Sequence, residues 1–374
     1  MKRITIVVLI LCATFAPVAW AQQTPCKPPV AWAQFHRFNM TRWNPCEQVL
    51  GVSDVGNLTL KWSHPTGQVT SQPVFIDGVV FVAANDDNVY ALNAETGAEL
   101  WSFTAGYDFY AGPAVADGMV YVGAQDSNLY ALNARTGVKV WSFKALTWFS
   151  SSPVVLNGVV CIGSNDSHVY AFSAKTGTKL WSYKTRGEVV SSPAAADKVV
   201  YVGSTDSNVY ALNGVTGAKL WSYMTGGGVN SSPAVANGIV YVGSEDGNLY
   251  ALNASTGAKL WSYPTGGVID SSPAVAGGVV YFGSTDNNLY ALNAATGTKL
   301  WNYPMEFLGY SLYSSPAVAN GVVYVGSYDH NLYALNAQTG ALLWSYDTGD
   351  VVESSPAIAN GVVYVGSEAF AVPK

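Results

Sequence analysis

Eight tryptophans, Trp62, Trp101, Trp141, Trp181, Trp221, Trp261, Trp301 and Trp344, recur at intervals of about 40 residues, each closing the same phrase. Eight prolines, Pro73, Pro113, Pro153, Pro193, Pro233, Pro273, Pro316 and Pro356, open it. Self-similarity at this period means a repeat architecture. Units that cannot bury their own faces must share one core, so 374 residues do not here imply two or three separate domains.

One unit reads as four strands. Pro233 to Ala236 is a short strand, and Asn237-Gly238 after it is a strong hairpin signal because both positions tolerate positive φ. The same slot holds Asp or Asn followed by Gly, or Gly-Gly, in every repeat except Asp197-Lys198, which should be the least comfortable turn. Ile239 to Gly243 forms a second, almost wholly apolar strand, expected to be covered on both faces. A polar loop, 244–248, leads to a third strand, Leu249 to Asn253. A Gly257 turn then leads to a fourth, Lys259 to Tyr263, which carries Trp261. Four antiparallel strands make a blade, and radial repetition of blades makes a propeller. The recurring tryptophans should pack between blades as large buried rings, with no chemistry implied.

Seven complete units run from Pro73 to Trp344. An eighth begins at Pro356 and is truncated at Phe370-Ala371-Val372, whereas Leu58 to His64 matches the outer-strand phrase. The expectation is an all-β, eight-bladed β-propeller of four-stranded antiparallel blades over residues 58–374. The N-terminal strand would complete the last blade and remove an open edge.

Residues 1–21 have the charged, apolar, small-residue order of an export signal: Lys2-Arg3, then Ile4 to Phe15, then Ala19-Trp20-Ala21. The apolar run is short for a membrane span. Cys12 follows the bulky Leu11, a poor lipoprotein signal. A soluble exported product, periplasmic or extracellular, is expected. Residues 22–57 form a lead-in in which Cys26 and Cys46 are candidates for a structural disulfide, the alternative being two free thiols. The bridge would close a loop of about 20 residues and contribute roughly 3 kcal/mol. Cys161 stands where other repeats have Tyr, which suits a buried, inert thiol. Charged residues make up 11% of the chain and the formal net charge is −6. No basic cluster supports nucleic-acid binding, and the four histidines have no paired metal-ligand spacing. A monomer is expected.

The string ALNAxTGxxLWSY, preceded by SSPAVANGVVYVGSxDxNLY, resembles the repeat of the pyrroloquinoline-quinone (PQQ) propeller superfamily and its tryptophan-docking motif. Asn93, Asn133, Asn253, Asn293 and Asn336 stand where that motif has Asp. The resemblance covers residues 58–374, and loosely Trp32 to Pro45. It implies the fold, but two kinds of function. Quinoprotein dehydrogenases of the superfamily hold PQQ and Ca²⁺ over the central channel and oxidise alcohols or sugars. Non-catalytic members include the propeller lipoprotein of the outer-membrane barrel-assembly machinery and the sensor domains of some bacterial kinases. The fold does not choose between them.

Positions constant in all repeats are explained by the fold, so a site must lie where the repeats differ. Three places before each Pro stand Thr70, Tyr110, Ser150, Val190, Asn230, Asp270, Tyr313 and Glu353. The residues just before these are all apolar: Val69, Phe109, Phe149, Val189, Val229, Ile269, Leu312 and Val352. The alternation predicts that the variable set reaches the mouth of the channel. Three linkers are aromatic: Tyr107-Asp108-Phe109-Tyr110, Trp148-Phe149, and Met305 to Tyr313 with Phe307, Tyr310 and Tyr313. Arg186 and Glu188 read as a surface pair. The candidate binding face is therefore Tyr107, Asp108, Tyr110, Trp148, Arg186, Glu188, Asn230, Asp270, Phe307, Tyr310, Tyr313 and Glu353. The recurring acids Asp86, Asp126, Asp166, Asp206, Asp246, Asp286 and Asp329 read as turn-stabilising rather than catalytic. No catalytic residue and no metal ligand can be assigned, and there is no Cys-Cys pair of the kind the dehydrogenases set against the quinone. The expected function is an exported, non-enzymatic binding or scaffold propeller, without cofactor, presenting one face to an envelope protein or a glycan. The alternative is a PQQ-dependent alcohol or sugar dehydrogenase using PQQ with calcium.

Overall fold

The computed structural model describes residues 33–35, 41–305 and 312–368. Its first blade consists of Val74–Ile76, Val79–Ala83, Asn88–Asn93 and Glu99–Thr104, hydrogen-bonded in that order. Six more four-stranded meanders follow, with inner strands Ala114–Ala116, Val154–Leu156, Ala194–Ala196, Ala234–Ala236, Ala274–Ala276 and Ala317–Ala319, the last extended to a five-stranded sheet by Trp43–Asn44. All seven are antiparallel meanders, as the repeat predicts.

The hairpin dipeptides do what their chemistry allows. Asn237 and Gly238 take φ of 50° and 75°, so the two-residue turn matches the twist of its strands. Asp197 and Lys198 adopt the same turn at φ of 49° and 64°, which places a lysine side chain in the left-handed region. Third and fourth strands pair through a bulge. In blade five, Ala251 lies opposite Trp261, and the register shifts before Leu252 pairs with Lys259. Second and third strands are buried, while the outer strand Lys259–Pro264 is largely exposed.

The expected eighth four-stranded blade is not found: the described residues form seven four-stranded blades, not eight. Ala357–Ala359 and Val362–Tyr364 make a two-stranded hairpin between the inner strands of blades seven and one. Residues 58–64 contribute isolated bridges at Thr59 and His64 rather than a strand. Phe370, Ala371 and Val372 lie outside the described residues. Counting phrases overestimated the blades because a blade needs a continuous ladder, and 365–368 carry no strand on which one could be built. The N-terminal segment still takes part in closure: the Trp62 indole donates to the Ala94 carbonyl at 2.9 Å, and its ring lies 6.3 Å from that of Tyr364.

Residues 1–21 lie outside the described residues. Among the described residues, no helix is long and apolar enough to cross a membrane. Cys46 is disulfide-bonded; Cys26, the partner offered by the sequence, lies outside the described residues. Cys161 is buried, and desolvation pushes its thiol up to about 12.

Candidate binding site at the channel mouth

An inner strand has a neighbour on one side only, so its other edge needs acceptors. The lead-in supplies several. The amide of Val115 donates to the Ala33 carbonyl at 2.8 Å, and that of Val155 to Gln34 Oε1 at 3.1 Å. On other blades, Val275 donates to the Thr41 carbonyl at 2.8 Å, and Val318 to the Arg42 carbonyl at 3.0 Å. Trp43–Asn44 pairs in parallel with Val318–Ala319. Asn44 Nδ2 reaches the Ile358 carbonyl at 2.8 Å, and Gly361 donates to Glu47 Oε2 at 3.0 Å. The lead-in thus occupies the channel and ties blades two, three, six and seven and the closing hairpin together. The sequence offered no signal for this plug beyond the segment's position ahead of the repeats.

Arg42 is its centre. The side chain is fully buried, with Nε on the Pro316 carbonyl at 2.8 Å and Nη2 on the Ser315 carbonyl at 3.0 Å. Nη1 donates to Gln72 Oε1 at 2.7 Å and to the Phe35 carbonyl at 2.9 Å. The guanidinium also sits 4.6 Å from the centre of the Phe35 ring. Desolvation lowers its pKa to about 9.

Above the plug, the serine before six of the eight prolines links neighbouring blades. Backbone amides of Gly112, Ser152, Ser192, Ser232, Ser272 and Ser315 donate to the Oγ atoms of Ser152, Ser192, Ser232, Ser272, Ser315 and Ser355, at 2.8–3.0 Å. The constant Ser-Ser-Pro phrase is explained by this belt, a role its recurrence did not disclose. Blade one departs from it with Gln72, which turns to Arg42 instead.

The belt floors an open cavity of about 510 Å³. Six of the eight variable positions line it: Thr70, Tyr110, Ser150, Val190, Tyr313 and Glu353, with Phe35, Gln72 and Tyr328. The apolar residues preceding all eight positions are buried, so the alternation predicted for these linkers is present. The Tyr328 hydroxyl donates to the Glu353 carboxyl, and the Tyr328 and Tyr313 rings lie 5.6 Å apart. Burial, followed by the charge of Glu368 and a hydrogen bond shared with it, pushes Glu353 up to about 7. Burial likewise raises Glu368. The Thr70 hydroxyl is buried without a hydrogen-bond partner.

The other two variable positions turn to each other. Asn230 Nδ2 donates to Glu245 Oε1 at 2.7 Å and to Asp270 Oδ1 at 3.3 Å. Burial raises the Asp270 carboxyl, a shift the Asn230 bond opposes and the Glu245 charge adds to. Tyr107 and Trp148 are 58% and 48% exposed, outside the cavity lining. The Asp108 carbonyl accepts from the Gln125 amide. The pair expected between Arg186 and Glu188 is not found among the described residues. Glu188 accepts from Asn165 Nδ2 at 2.9 Å, and the Arg186 amide donates to Asp206 Oδ2 at 2.9 Å. Phe307 and Tyr310 lie outside the described residues.

The recurring acid is a turn device. Asp206 accepts from the Asn208 amide, the Tyr210 hydroxyl and the Arg186 amide of the preceding linker. Burial raises its carboxyl, but those bonds outweigh burial and hold it below its ordinary range.

A family model described as outer membrane protein assembly factor BamB matches residues 47–147, 146–229, 224–307 and 308–371. The quinoprotein alcohol dehydrogenase PedE of Pseudomonas putida is 32% identical over 108 residues, 23% of this chain and 17% of that protein. A quinoprotein ethanol dehydrogenase of Pseudomonas aeruginosa is 37% identical over 67 residues, 17% of this chain and 11% of that protein. The matched stretches thus span under a fifth of either relative. Among solved structures, the quinohemoprotein alcohol dehydrogenase ADHIIG from Pseudomonas putida HK5 superposes with a TM-score of 0.80 at 19% identity, covering 90% of this chain and 75% of that one. BamB from Moraxella catarrhalis gives 0.69 at 21% identity, covering 80% and 96%. At these identities the structural likeness is one of fold.

Proposed function

The chain belongs to the PQQ-like β-propeller superfamily, in the family described as outer membrane protein assembly factor BamB, and from that premise we propose that it is an exported, non-enzymatic binding propeller. Its channel-mouth face engages a partner in the cell envelope. The observation that carries this reading is the placement of exposed aromatic side chains, Tyr107, Tyr110, Trp148 and Tyr313, on linkers that differ from blade to blade around one open cavity. Exposed aromatic groups on a rigid scaffold are typical anchors for recognition. The channel behind them holds the lead-in, so a partner approaches from this face.

The dehydrogenase relatives raise PQQ with a metal as the other reading. PQQ is a tricarboxylate, and a cavity for it needs cations. Among the described residues the cavity lining contains no Lys or Arg, and its one carboxyl is Glu353. Arg42 lies beneath the floor, fully buried and bonded to oxygens of the protein. Among the described residues, no group of three His, Cys, Asp or Glu could hold a metal ion. These residues do not suit the group, and no step is derived through it.

The test is twofold. The purified chain incubated with PQQ and Ca²⁺ should leave quinone absorbance unchanged and reduce no dye with alcohols or sugars; stoichiometric uptake with turnover would sink the binding reading. One envelope partner should be retained on the immobilised chain and lost from a Tyr107→Ala, Trp148→Ala, Tyr313→Ala variant that melts like the parent.

A further inference from the structure

The chemistry of the mouth cavity is narrower than a general docking face requires. Around the ring, the variable positions of blade seven, the closing hairpin, blade one and blade two follow one another as Tyr313, Glu353, Thr70 and Tyr110, and all four line the cavity. Two tyrosines, 44% and 41% exposed, therefore bracket a carboxyl and a hydroxyl. Phe35 adds a third ring to the lining.

The polar atoms are underused. The Thr70 hydroxyl has no partner. The belt hydroxyls facing the cavity each accept a backbone N–H, which leaves the hydroxyl hydrogen to donate. An occupant rich in hydroxyls would satisfy both donors and acceptors at once.

Charge narrows the class further. Among the described residues no cation lines the cavity, so an anionic ligand would meet only Glu353. A cationic ligand would meet a single carboxyl, Glu353, which already accepts from the Tyr328 hydroxyl. Aromatic walls, serine hydroxyl hydrogens left to donate and a single, already bonded carboxyl describe a site for a neutral polyol with apolar C–H faces. A volume of about 510 Å³ holds one or two pyranose rings.

We propose that the mouth cavity is a subsite for a neutral saccharide, with Tyr110 and Tyr313 packing on its ring faces and Glu353 and the belt serines bonding its hydroxyls. This rests on the binding reading above and names the chemistry of what is bound.

Calorimetric titration and saturation-transfer NMR on the full chain test it. The neutral probes are N-acetylglucosamine, galactose and maltose; glucosamine and N-acetylneuraminic acid are the cationic and anionic ones. At least one neutral probe should bind saturably, and Tyr110→Ala and Tyr313→Ala should each weaken it by at least about tenfold. Leu180→Ala, exposed on the outer strand of blade three and outside the lining, should leave affinity unchanged, and all three variants should melt like the parent. Absence of neutral-sugar binding up to about 10 mM, beyond the weak millimolar range, overturns the proposal. Binding of charged probes alone, or neutral binding untouched by both cavity variants, also overturns it. Retention of an enzymatically deglycosylated envelope partner, with no sugar binding, would refute the saccharide subsite while leaving the binding propeller intact.

Discussion

The indole Nε1 of Trp221 donates to the carbonyl of Ala254 at 2.9 Å, tying the outer strand of blade four to the turn of blade five. The Trp101–Ala134, Trp141–Ala174, Trp181–Gly214, Trp261–Ala294 and Trp301–Ala337 pairs do the same at 3.0–3.1 Å. Each motif therefore serves its neighbour across a seam.

The turn glycine is part of that seam. Gly257 has φ of +72°, and a Cβ there would lie 2.7 Å from the Trp221 ring. Trp221→Ala should lower stability by about 3–5 kcal/mol in urea unfolding. Gly257→Ala should also destabilise, but less in the Trp221→Ala background than in the parent, because the clash is gone. Additive effects in a double-mutant cycle would contradict the coupling.

Equivalent tyrosines should respond oppositely to loss of their hydroxyls. Tyr241 donates to the Ala294 carbonyl at 3.0 Å, as Tyr121, Tyr201 and Tyr281 do to the corresponding turns. Tyr324 has the same place in blade seven, but the closing hairpin has no such turn among the described residues, and its hydroxyl is buried without a partner. Tyr241→Phe should cost about 0.5–1.5 kcal/mol, whereas Tyr324→Phe should be neutral or stabilising. Thermal unfolding of the two variants distinguishes them.

Arg42 holds the plug to blades seven and one, on either side of the closing hairpin. Arg42→Ala strands the carbonyls of Pro316 and Ser315 and the side chain of Gln72, at about 1–3 kcal/mol for each group left buried and unpaired. Hydrogen exchange should rise at the inner strands of blades one and seven more than at blade four. Uniform loss of protection would count against a local keystone role.

Two sets of carboxyls give opposite pH dependences. Glu353 is raised from its ordinary 4.5 to about 7, first by burial. Between those values the folded state binds more protons than the unfolded state, so stability falls as pH rises through the window and levels off above it. Asp206 and Asp246 are held below their ordinary value of 3.8 by bonds that outweigh burial. Their contribution is present above that value and lost as pH falls through the lower folded values. Glu353→Gln should flatten the decline between pH 5 and 7 in melting experiments while leaving the acid limb unchanged.

The 40-residue phrase made blade architecture legible because each constant letter answers a local requirement. Asn-Gly turns need positive φ, alternating linkers must bury one residue in two, and the recurring Asp caps its own loop. Even the location of the cavity was readable, since Thr70, Tyr110, Ser150, Val190, Tyr313 and Glu353 occupy one slot in different repeats. The number of complete blades was not readable, because a matching phrase does not guarantee a continuous ladder. Nor was the pairing of Asn230 with Asp270, or the failure of Arg186 to pair with Glu188, because neighbours across blades are far apart in the chain. The sequence by itself determined the repeating local geometry and the shared apolar core. The tertiary structure alone decided that Arg42 closes the channel and that Glu353 meets Tyr328 and Glu368. Those contacts depend on bringing the lead-in and the last repeat to one axis, and no local periodicity encodes which residues meet there.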